Sequence, residues 1–288
     1  MFSVPSFYGF RSNSGGFVGL LDDYSGAAAA YSLRLLRADY SGSAIRVRRS
    51  SDNAETDIGF DSSGELDTTA LLTHVGTSPT DNGFIETWYD QSGNGNDATQ
   101  ATASAQPKIV NSGSVITENV KPAVQFDGSD DYLQSQNQWI SGTQDRSLIS
   151  VSKYIGSVPT SNFGIYALTN INNSTGTIWN VRPDGGISIV GFIEYPVSWD
   201  TYNLTFIEWS GTNISDTNYY FNTNLQSYSA INDQVVNTSS GGHSLIGVND
   251  FLNNFTSPNL QELIIYPSDQ SSNRTGIETN INDFYSIY

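Results

Sequence analysis

The sequence predicts an all-β sandwich, or jelly roll, with a few short helices, and three features of the 288-residue chain support this. Short apolar stretches recur between Gly, Asn and Ser turns, which is the pattern of many short strands. Aromatic residues reach 12% while charged residues are only 14%, so Ser, Thr, Asn and Gln must cover most of the surface. Near the end, apolar residues recur every three or four positions, which predicts a closing amphipathic helix.

The first half of the chain is expected to hold two helices and the first strands. Residues 27–36 are rich in Ala, Leu and Arg, which favour a helix. Residues 67–75 predict a second short helix with Asp67 as its N-cap. Strands are expected at 44–49, 56–60, 85–90, 107–110, 123–126 and 132–133.

The second half continues the strand pattern and then closes with the helix. Strands are expected at 148–154, 163–168, 177–181, 187–193, 204–209, 218–221, 244–248 and 260–266. The apolar positions of the closing helix are Ile277, Ile281, Phe284, Tyr285 and Tyr288. No linker or fixed repeat interrupts residues 23–288, so they are predicted to form one sandwich domain.

Residues 1–22 differ from the rest and are predicted to be an anchoring or docking segment. Phe2, Phe7, Tyr8, Phe10 and Phe17 are interleaved with Ser, Gly and Asn without a clear period. Exposed aromatic side chains promote aggregation, so these residues should be covered. Either the same chain or another protein could cover them, and both alternatives stay open.

Charge and cysteine content limit the classes of function. The net charge is −17, which argues against nucleic-acid and anionic-membrane partners because both need a basic surface. No apolar run approaches membrane-spanning length, and the first residues do not resemble a signal peptide. The chain has no cysteine, which fits synthesis in a reducing cytoplasm or stability gained from size or homo-oligomerisation.

Five of the twelve basic residues lie between Arg34 and Arg49. They are predicted to pair with the abundant Asp and Glu residues. A site for a ligand carboxylate or phosphate is the alternative.

The most distinctive stretch is residues 88–97, Trp-Tyr-Asp-Gln-Ser-Gly-Asn-Gly-Asn-Asp, called the corner below. Gly93 and Gly95 permit positive φ, so a strand should end here in a tight polar turn. Its amides and carboxylate are expected to point outward. Two interpretations stay open: Asp90, Asn94 and Asn96 either pin neighbouring loops or, together with Tyr89, contact a ligand.

The string Tyr-Asp-Gln-Ser-Gly-Asn-Gly-Asn at 89–96 resembles the catalytic-domain family of α-L-arabinofuranosidase B. Residues 30–34, 43–49 and 266–269 are similar to other parts of that family, and 126–133 resembles a hairpin of laminin-G-like domains. The resemblance runs from about residue 27 to the end and is strongest over 27–110. It implies a concanavalin A-like β-sandwich and, if activity is retained, an arabinofuranosidase-type glycoside hydrolase.

The resemblance also implies candidate catalytic residues. Asp250, at the end of Leu-Ile-Gly-Val-Asn-Asp, matches the family's acid/base aspartate. The family places its nucleophilic glutamate after a Trp-X-X-Val strand, but residues 179–186 contain no glutamate, and Asp184 is the nearest carboxylate. The family's two adjacent cysteines are also missing. These departures argue against retained hydrolysis.

Glycan binding needs less than hydrolysis, and the sequence offers candidates for it. Trp179 and Tyr89 could supply aromatic faces, with polar edges from Asp90, Asn94, Asn96 and Asn249. Asp127, Asp130 and Asp131 could ligate Ca²⁺ through carboxylate oxygens, although an ordinary Asp-Gly turn is favoured. No other cofactor is expected.

The leading hypothesis is a virion-associated glycan-recognition or receptor-binding protein. It would be made in a host cytoplasm and displayed on a virion such as a phage. Its partners would be a cell-surface polysaccharide and, through residues 1–22, other virion proteins. The alternatives are an active extracellular arabinofuranosidase-type hydrolase and a structural capsid or fibre decoration subunit.

Overall fold

The computed structural model describes residues 17–155, 163–169, 177–181, 186–189, 193–196, 201–228, 230–231, 233, 235–238, 240–248, 252 and 255–288. The strands of the first half of the chain are β1 Ala29–Ser32, β2 Ile45–Arg49, β3 Glu55–Ile58, β4 Gly83–Trp88, β5 Ala98–Thr99, β6 Lys108–Asn111, β7 Ser114–Val115, β8 Thr117–Glu118, β9 Lys121–Pro122, β10 Val124–Gln125 and β11 Leu133–Ser135.

The remaining strands are β12 Arg146–Tyr154, β13 Phe163–Thr169, β14 Thr177–Val181, β15 Gly186–Ile189, β16 Ile193–Pro196, β17 Asn203–Trp209, β18 Thr217–Phe221, β19 Asn224–Leu225, β20 Ala230–Ile231, β21 His243–Ile246 and β22 Pro258–Tyr266. The stretch predicted as one strand at 187–193 is corrected: β15 and the start of β16 share it, and these two strands pair antiparallel.

Antiparallel pairing arranges the strands in two layers. In the first layer β22 pairs with β12 on one side and with β1 and β10 on the other, and β17, β18 and β19 follow β12. The second layer runs β3–β2–β4–β5–β11–β21–β13–β14–β15–β16–β20. Strand β6 pairs with both β4 and β10 and so connects the layers. The predicted all-β sandwich is confirmed.

Two apolar clusters hold the layers in place. The first lies between them, where Leu148 and Leu263 of the first layer meet Val47 and Trp88 of the second. The second lies on the other face of the first layer. All nine residues of β22 are buried because both faces of this strand are covered.

Three α-helices occur in the described residues: α1 Leu20–Asp23, α2 Thr68–Val75 and α3 Arg274–Tyr285. Asp67 caps α2 as predicted, since its side chain accepts from the Ala70 amide at 2.8 Å. The predicted closing helix is α3, and it covers the first layer through Ile277, Ile281 and Tyr285. None of the helices in these ranges is long and apolar enough to cross a membrane.

The helix predicted at 27–36 is wrong, because residues 29–32 form β1. This strand pairs with β22 and is completely buried. Ala29 and Tyr31 face the core between the layers, while Ala30 faces the second cluster. Small residues fit a strand covered on both faces, so the gain from tertiary packing outweighs the weak helix preference of alanine.

Only residues 17–22 of the segment 1–22 lie within the described part of the chain. Residues 1–16 lie outside the described residues. Leu20 and Leu21 are buried in the second cluster, so α1 packs on the same face of the first layer as α3. The docking role of the segment stays a prediction.

Four of the five basic residues between 34 and 49 make the predicted ion pairs. The pairs are Arg34–Glu262, Arg37–Asp39, Arg46–Asp57 and Arg49–Asp52. Arg48 instead donates to Gln106, Asn53 and the Ala103 carbonyl. The pairing interpretation is therefore confirmed for these four residues.

Candidate functional site

The corner is organised around the buried carboxylate of Asp90, which is 4% exposed. Its Oδ1 accepts from the amides of Ala30 and Ser92, both at 2.9 Å. Its Oδ2 accepts from the Ser92 hydroxyl at 2.7 Å and the Asn96 amide at 3.0 Å. Both carboxylate oxygens are thus engaged inside the protein.

Gln91 ties the corner to the chain that follows β1. Its side chain is completely buried, and Oε1 accepts from the Leu36 amide at 2.8 Å. Its Nε2 donates to the carbonyls of Ser32 and Arg34, both at 3.0 Å. These three bonds give hydrogen-bond partners to backbone groups of Ser32, Arg34 and Leu36, at and just after the end of β1.

The two asparagines of the corner reach the chain that precedes β1. Asn94 Nδ2 donates to the carbonyls of Ala27 and Ala28, at 2.9 and 3.1 Å. Asn96 Nδ2 donates to the Ala28 carbonyl at 2.7 Å. Gly93 and Gly95 have φ of 93° and 70°, as predicted. The expected outward orientation of the amides and carboxylate is wrong, because they bind residues 27–36, and the loop-pinning interpretation agrees with these contacts.

Tyr89 points away from this network, toward β3. Its hydroxyl donates to Asp57 Oδ1 at 2.8 Å, and Arg46 binds the same carboxylate. Burial and the bond to Asp57 raise the pKa of Tyr89. The tyrosine is half-buried, so part of its ring is accessible beside the Arg46–Asp57 pair.

The other predicted ligand residues lie around β14 and β21. Asp184, Asn249 and Asp250 are outside the described residues. Trp179 lies in β14, where the structure gives the pairing of the backbone: Trp179 is opposite Tyr166 of β13 and Ile189 of β15.

The described strands show which edge of the second layer leads to these residues. Val181, the last residue of β14, pairs with Phe163, the first residue of β13. Strand β21 pairs with the other side of β13, with Ile246 opposite Tyr166. The carboxyl ends of β14 and β21 therefore lie toward the same edge, with β13 between them. The two strands are two strand spacings apart, which is about 10 Å, and their ends are also offset along β13 because Val181 is opposite Phe163 and Ile246 is opposite Tyr166. Asp184 follows β14 in the sequence and Asp250 follows β21.

Asp127, Asp130 and Asp131 come together at the predicted Asp-Gly turn, with carboxylate oxygens within 4.8 Å of one another. Asp127 Oδ1 accepts from the Ser129 amide at 2.7 Å, and Asp131 Oδ2 accepts from the Asp127 amide at 2.9 Å. Gly128 has φ of 75°. The turn is confirmed, and the oxygens are of the type that Ca²⁺ prefers. Burial, and then the charge of Asp127, raise the pKa of Asp131 to about 7.

Asp131→Asn should increase stability at pH 8 by about 2 kcal/mol. A carboxyl group whose pKa is raised on folding stabilises the fold below the pKa of the unfolded chain, and this contribution is lost as the pH rises through about 7. Asparagine keeps an acceptor for the Asp127 amide without the charge. Urea unfolding at pH 5 and pH 8 measures the effect, with Asp283→Asn, an exposed aspartate outside this cluster, as the control. A variant that gains nothing at pH 8 would contradict it.

The sequence alone did not reveal an open cleft of about 330 Å³ beside the corner. Asp22, Arg37, Asp39 and Ser92 contribute polar groups to it. Arg37 donates to the Ser92 carbonyl at 2.8 Å while pairing with Asp39. The basic cluster was the available signal, but it did not show that Arg37 would meet the corner.

Comparison with known families identifies the same family that the corner sequence resembles. The profile described as "Alpha-L-arabinofuranosidase B, catalytic" matches residues 23–174, more than half of the chain. The chain therefore belongs to the α-L-arabinofuranosidase B catalytic-domain family. No curated protein sequence matches it.

Solved structures show the same fold. An α-L-arabinofuranosidase soaked with a cyclic sulfate inhibitor matches 88% of this chain with a TM-score of 0.66 at 16% identity. An arabinofuranosidase complexed with arabinofuranosyl-α-1,2-xylobiose also matches 88% of it, with a TM-score of 0.65 at 17% identity. The match covers 62% of each of those chains. At these identities the likeness shows the sandwich fold.

Proposed function

We propose that this protein recognises a glycan through its arabinofuranosidase-type sandwich and binds it without cleaving it. The observation that carries the proposal is the shared edge at which β14 and β21 end. In sequence, these strands lead to Asp184 and Asp250, and β14 contains Trp179. An aromatic face combined with fixed polar groups suits a sugar ring, which has apolar C–H faces and hydroxyl edges.

Hydrolysis requires more than this edge. A glycosidase needs two carboxyl groups about 5–5.5 Å apart for retention, or about 6.5–9.5 Å apart for inversion. The family's nucleophilic glutamate has no counterpart between Trp179 and Gly186, and Asp184 is one methylene shorter than a glutamate. The sequence differences therefore favour recognition over cleavage.

Active hydrolysis is the second candidate, because the chain belongs to the arabinofuranosidase B catalytic-domain family and Asp250 is the acid/base candidate that the sequence resemblance implies. A chromogenic arabinofuranoside tests it directly. Release of the chromophore that Asp250→Asn abolishes, and that the exposed control Asp283→Asn keeps, would establish hydrolysis. Binding of arabinofuranosyl oligosaccharides that Trp179→Ala weakens at least tenfold, without any release, would establish recognition.

We further propose that recognition takes place on a virion surface, with a cell-surface polysaccharide as the receptor. The aromatic residues of 1–16 and the lack of cysteine support this. Deleting residues 2–16 should leave glycan binding intact and abolish incorporation into the particle. If the shortened chain is still incorporated, the anchoring role is wrong.

A further inference from the structure

Helix α3 and strand β17 each contribute one buried glutamate to the interface between them. Glu278 of α3 is 2% exposed and Glu208 of β17 is 4% exposed. Glu208 continues the row of Leu204 and Phe206, which packs in the cluster that α3 covers. Both carboxylates therefore lie in the layer between helix and sheet.

In the described part of the chain, Arg274 is the cation that faces both carboxylates. Arg274 Nη1 donates to Glu278 Oε2 at 2.6 Å, and its guanidinium lies 3.8 Å from the centre of the Tyr220 ring. Glu208 Oε1 accepts from Asn218 Nδ2 at 3.4 Å, which is a long hydrogen bond. Among the described residues, Glu278 Oε1 and Glu208 Oε2 are buried without a hydrogen-bond partner. Burial raises the pKa of Glu208 more than the Tyr220 hydroxyl, which faces this glutamate, lowers that pKa.

Two ionised glutamates beside one arginine would leave a negative charge in a dry interface. An uncompensated buried charge costs several kcal/mol, and such a group commonly takes up a proton instead. A protonated carboxyl group has an O–H that can be donated, which an ionised one lacks. A proton on one of the two glutamates would remove this excess negative charge.

We propose that the Glu208–Glu278 pair holds one exchangeable proton, and that losing this proton as the pH rises loosens α3 from the sheet. Burial, and to a smaller extent the charge of Glu208, raise the pKa of Glu278 to about 7 despite Arg274. Burial also raises the pKa of Glu208. Because folding raises these carboxyl pKa values, the protonated pair stabilises the packing of α3 fully at acidic pH. This contribution is lost as the pH rises through about 7.

Other charged and titratable groups also face the pair. Asp269, in the loop before α3, adds repulsion that raises the pKa of Glu208. Tyr220 of β18 and Tyr288 after α3 have raised pKa values, that of Tyr288 about 12, so both stay neutral below pH 9. The change around pH 7 thus belongs to the glutamates.

Loosening of α3 would also reach α1. Leu20 and Leu21 pack in the same cluster as Ile277 and Ile281. A side chain at Gly276 would collide with the Tyr24 hydroxyl, so the chain around α1 lies directly against α3. Residues 20–24 are therefore expected to loosen together with α3.

Hydrogen exchange measured at pH 5.5 and pH 8.5 tests the proposal, with each rate divided by its intrinsic rate. In the wild type, protection of the 274–285 amides should fall about tenfold or more at pH 8.5, since each pKa unit is a factor of ten in differential binding. Glu278→Gln should remove most of this change, and the exposed control Glu55→Gln should keep it. Glu208→Gln provides a second variant if Glu278→Gln does not fold.

The expected pattern is loss of the pH dependence of α3 protection in either glutamine variant. The difference in urea midpoint between the two pH values should become smaller without vanishing, because Asp131 still titrates in the same range. Wild-type protection that is independent of pH would overturn the proposal. So would a pH dependence that persists unchanged in both glutamine variants.

Discussion

Arg34→Met is expected to lower the free energy of unfolding by about 3–5 kcal/mol, because it leaves a buried carboxylate without its cation. Arg34 Nε and Nη2 bind both oxygens of Glu262 at 2.8 and 3.0 Å, and the two residues are 5% and 0% exposed. Urea unfolding measures the loss. Replacing Arg46, whose pair with Asp57 is exposed, should cost about 1 kcal/mol or less.

A second substitution separates charge burial from loss of packing. In Arg34→Met/Glu262→Gln the buried charge is gone, and the Ser32 and Tyr285 hydroxyls that bind Glu262 keep an acceptor. The double variant should recover part of the stability lost in Arg34→Met. If it is less stable than the single variant, the ion pair is not the dominant contribution.

Asp90→Ala is expected to cost about 1–3 kcal/mol, since the amides of Ala30, Ser92 and Asn96 lose their acceptor in a largely buried place. The carboxylate also holds the corner against β1 through the Ala30 amide, so its loss weakens this contact as well. Thermal or urea unfolding measures the cost.

Asp90→Asn is the matched control for the corner. It preserves the volume and one acceptor oxygen but places an NH₂ group where donors converge, so an intermediate loss is expected. Unchanged stability of Asp90→Ala together with lost glycan binding would instead make the corner a ligand contact.

The strands could be predicted because their signal is local. Residues 44–49 and 260–266 carry apolar stretches bounded by turn residues, and they became β2 and β22. Residues 27–36 misled because alanine favours a helix in isolation, whereas burial on both sides by β22, α3 and the second layer decides the structure. Strand β22 and helix α3 lie more than two hundred residues away in the chain, and even the second-layer strands that cover β1 lie outside any local window.

The corner was predictable as a turn, but the direction of its side chains was not. Gly93 and Gly95 predict positive φ from the local sequence alone. Asp90 binds Ala30, and Gln91 binds Leu36 and Ser32, which lie 55 to 60 residues earlier in the chain. The choice between pointing outward and pinning β1 therefore depends on tertiary structure. The same holds for Arg34 and Glu262, and for Glu208 and Glu278, which only the fold brings together.

Proton NMR of an arabinofuranosyl oligosaccharide with the protein tests the central claim, because it reports binding and cleavage in one sample. We expect saturation transfer to the sugar protons in the wild type, a weaker effect in Trp179→Ala, and no anomeric signals of free arabinose over a day. Oligosaccharides of other furanose and pyranose sugars, run in parallel, would define the glycan. Accumulating free arabinose would contradict recognition without cleavage, and absence of saturation transfer from every glycan tested would contradict glycan recognition itself.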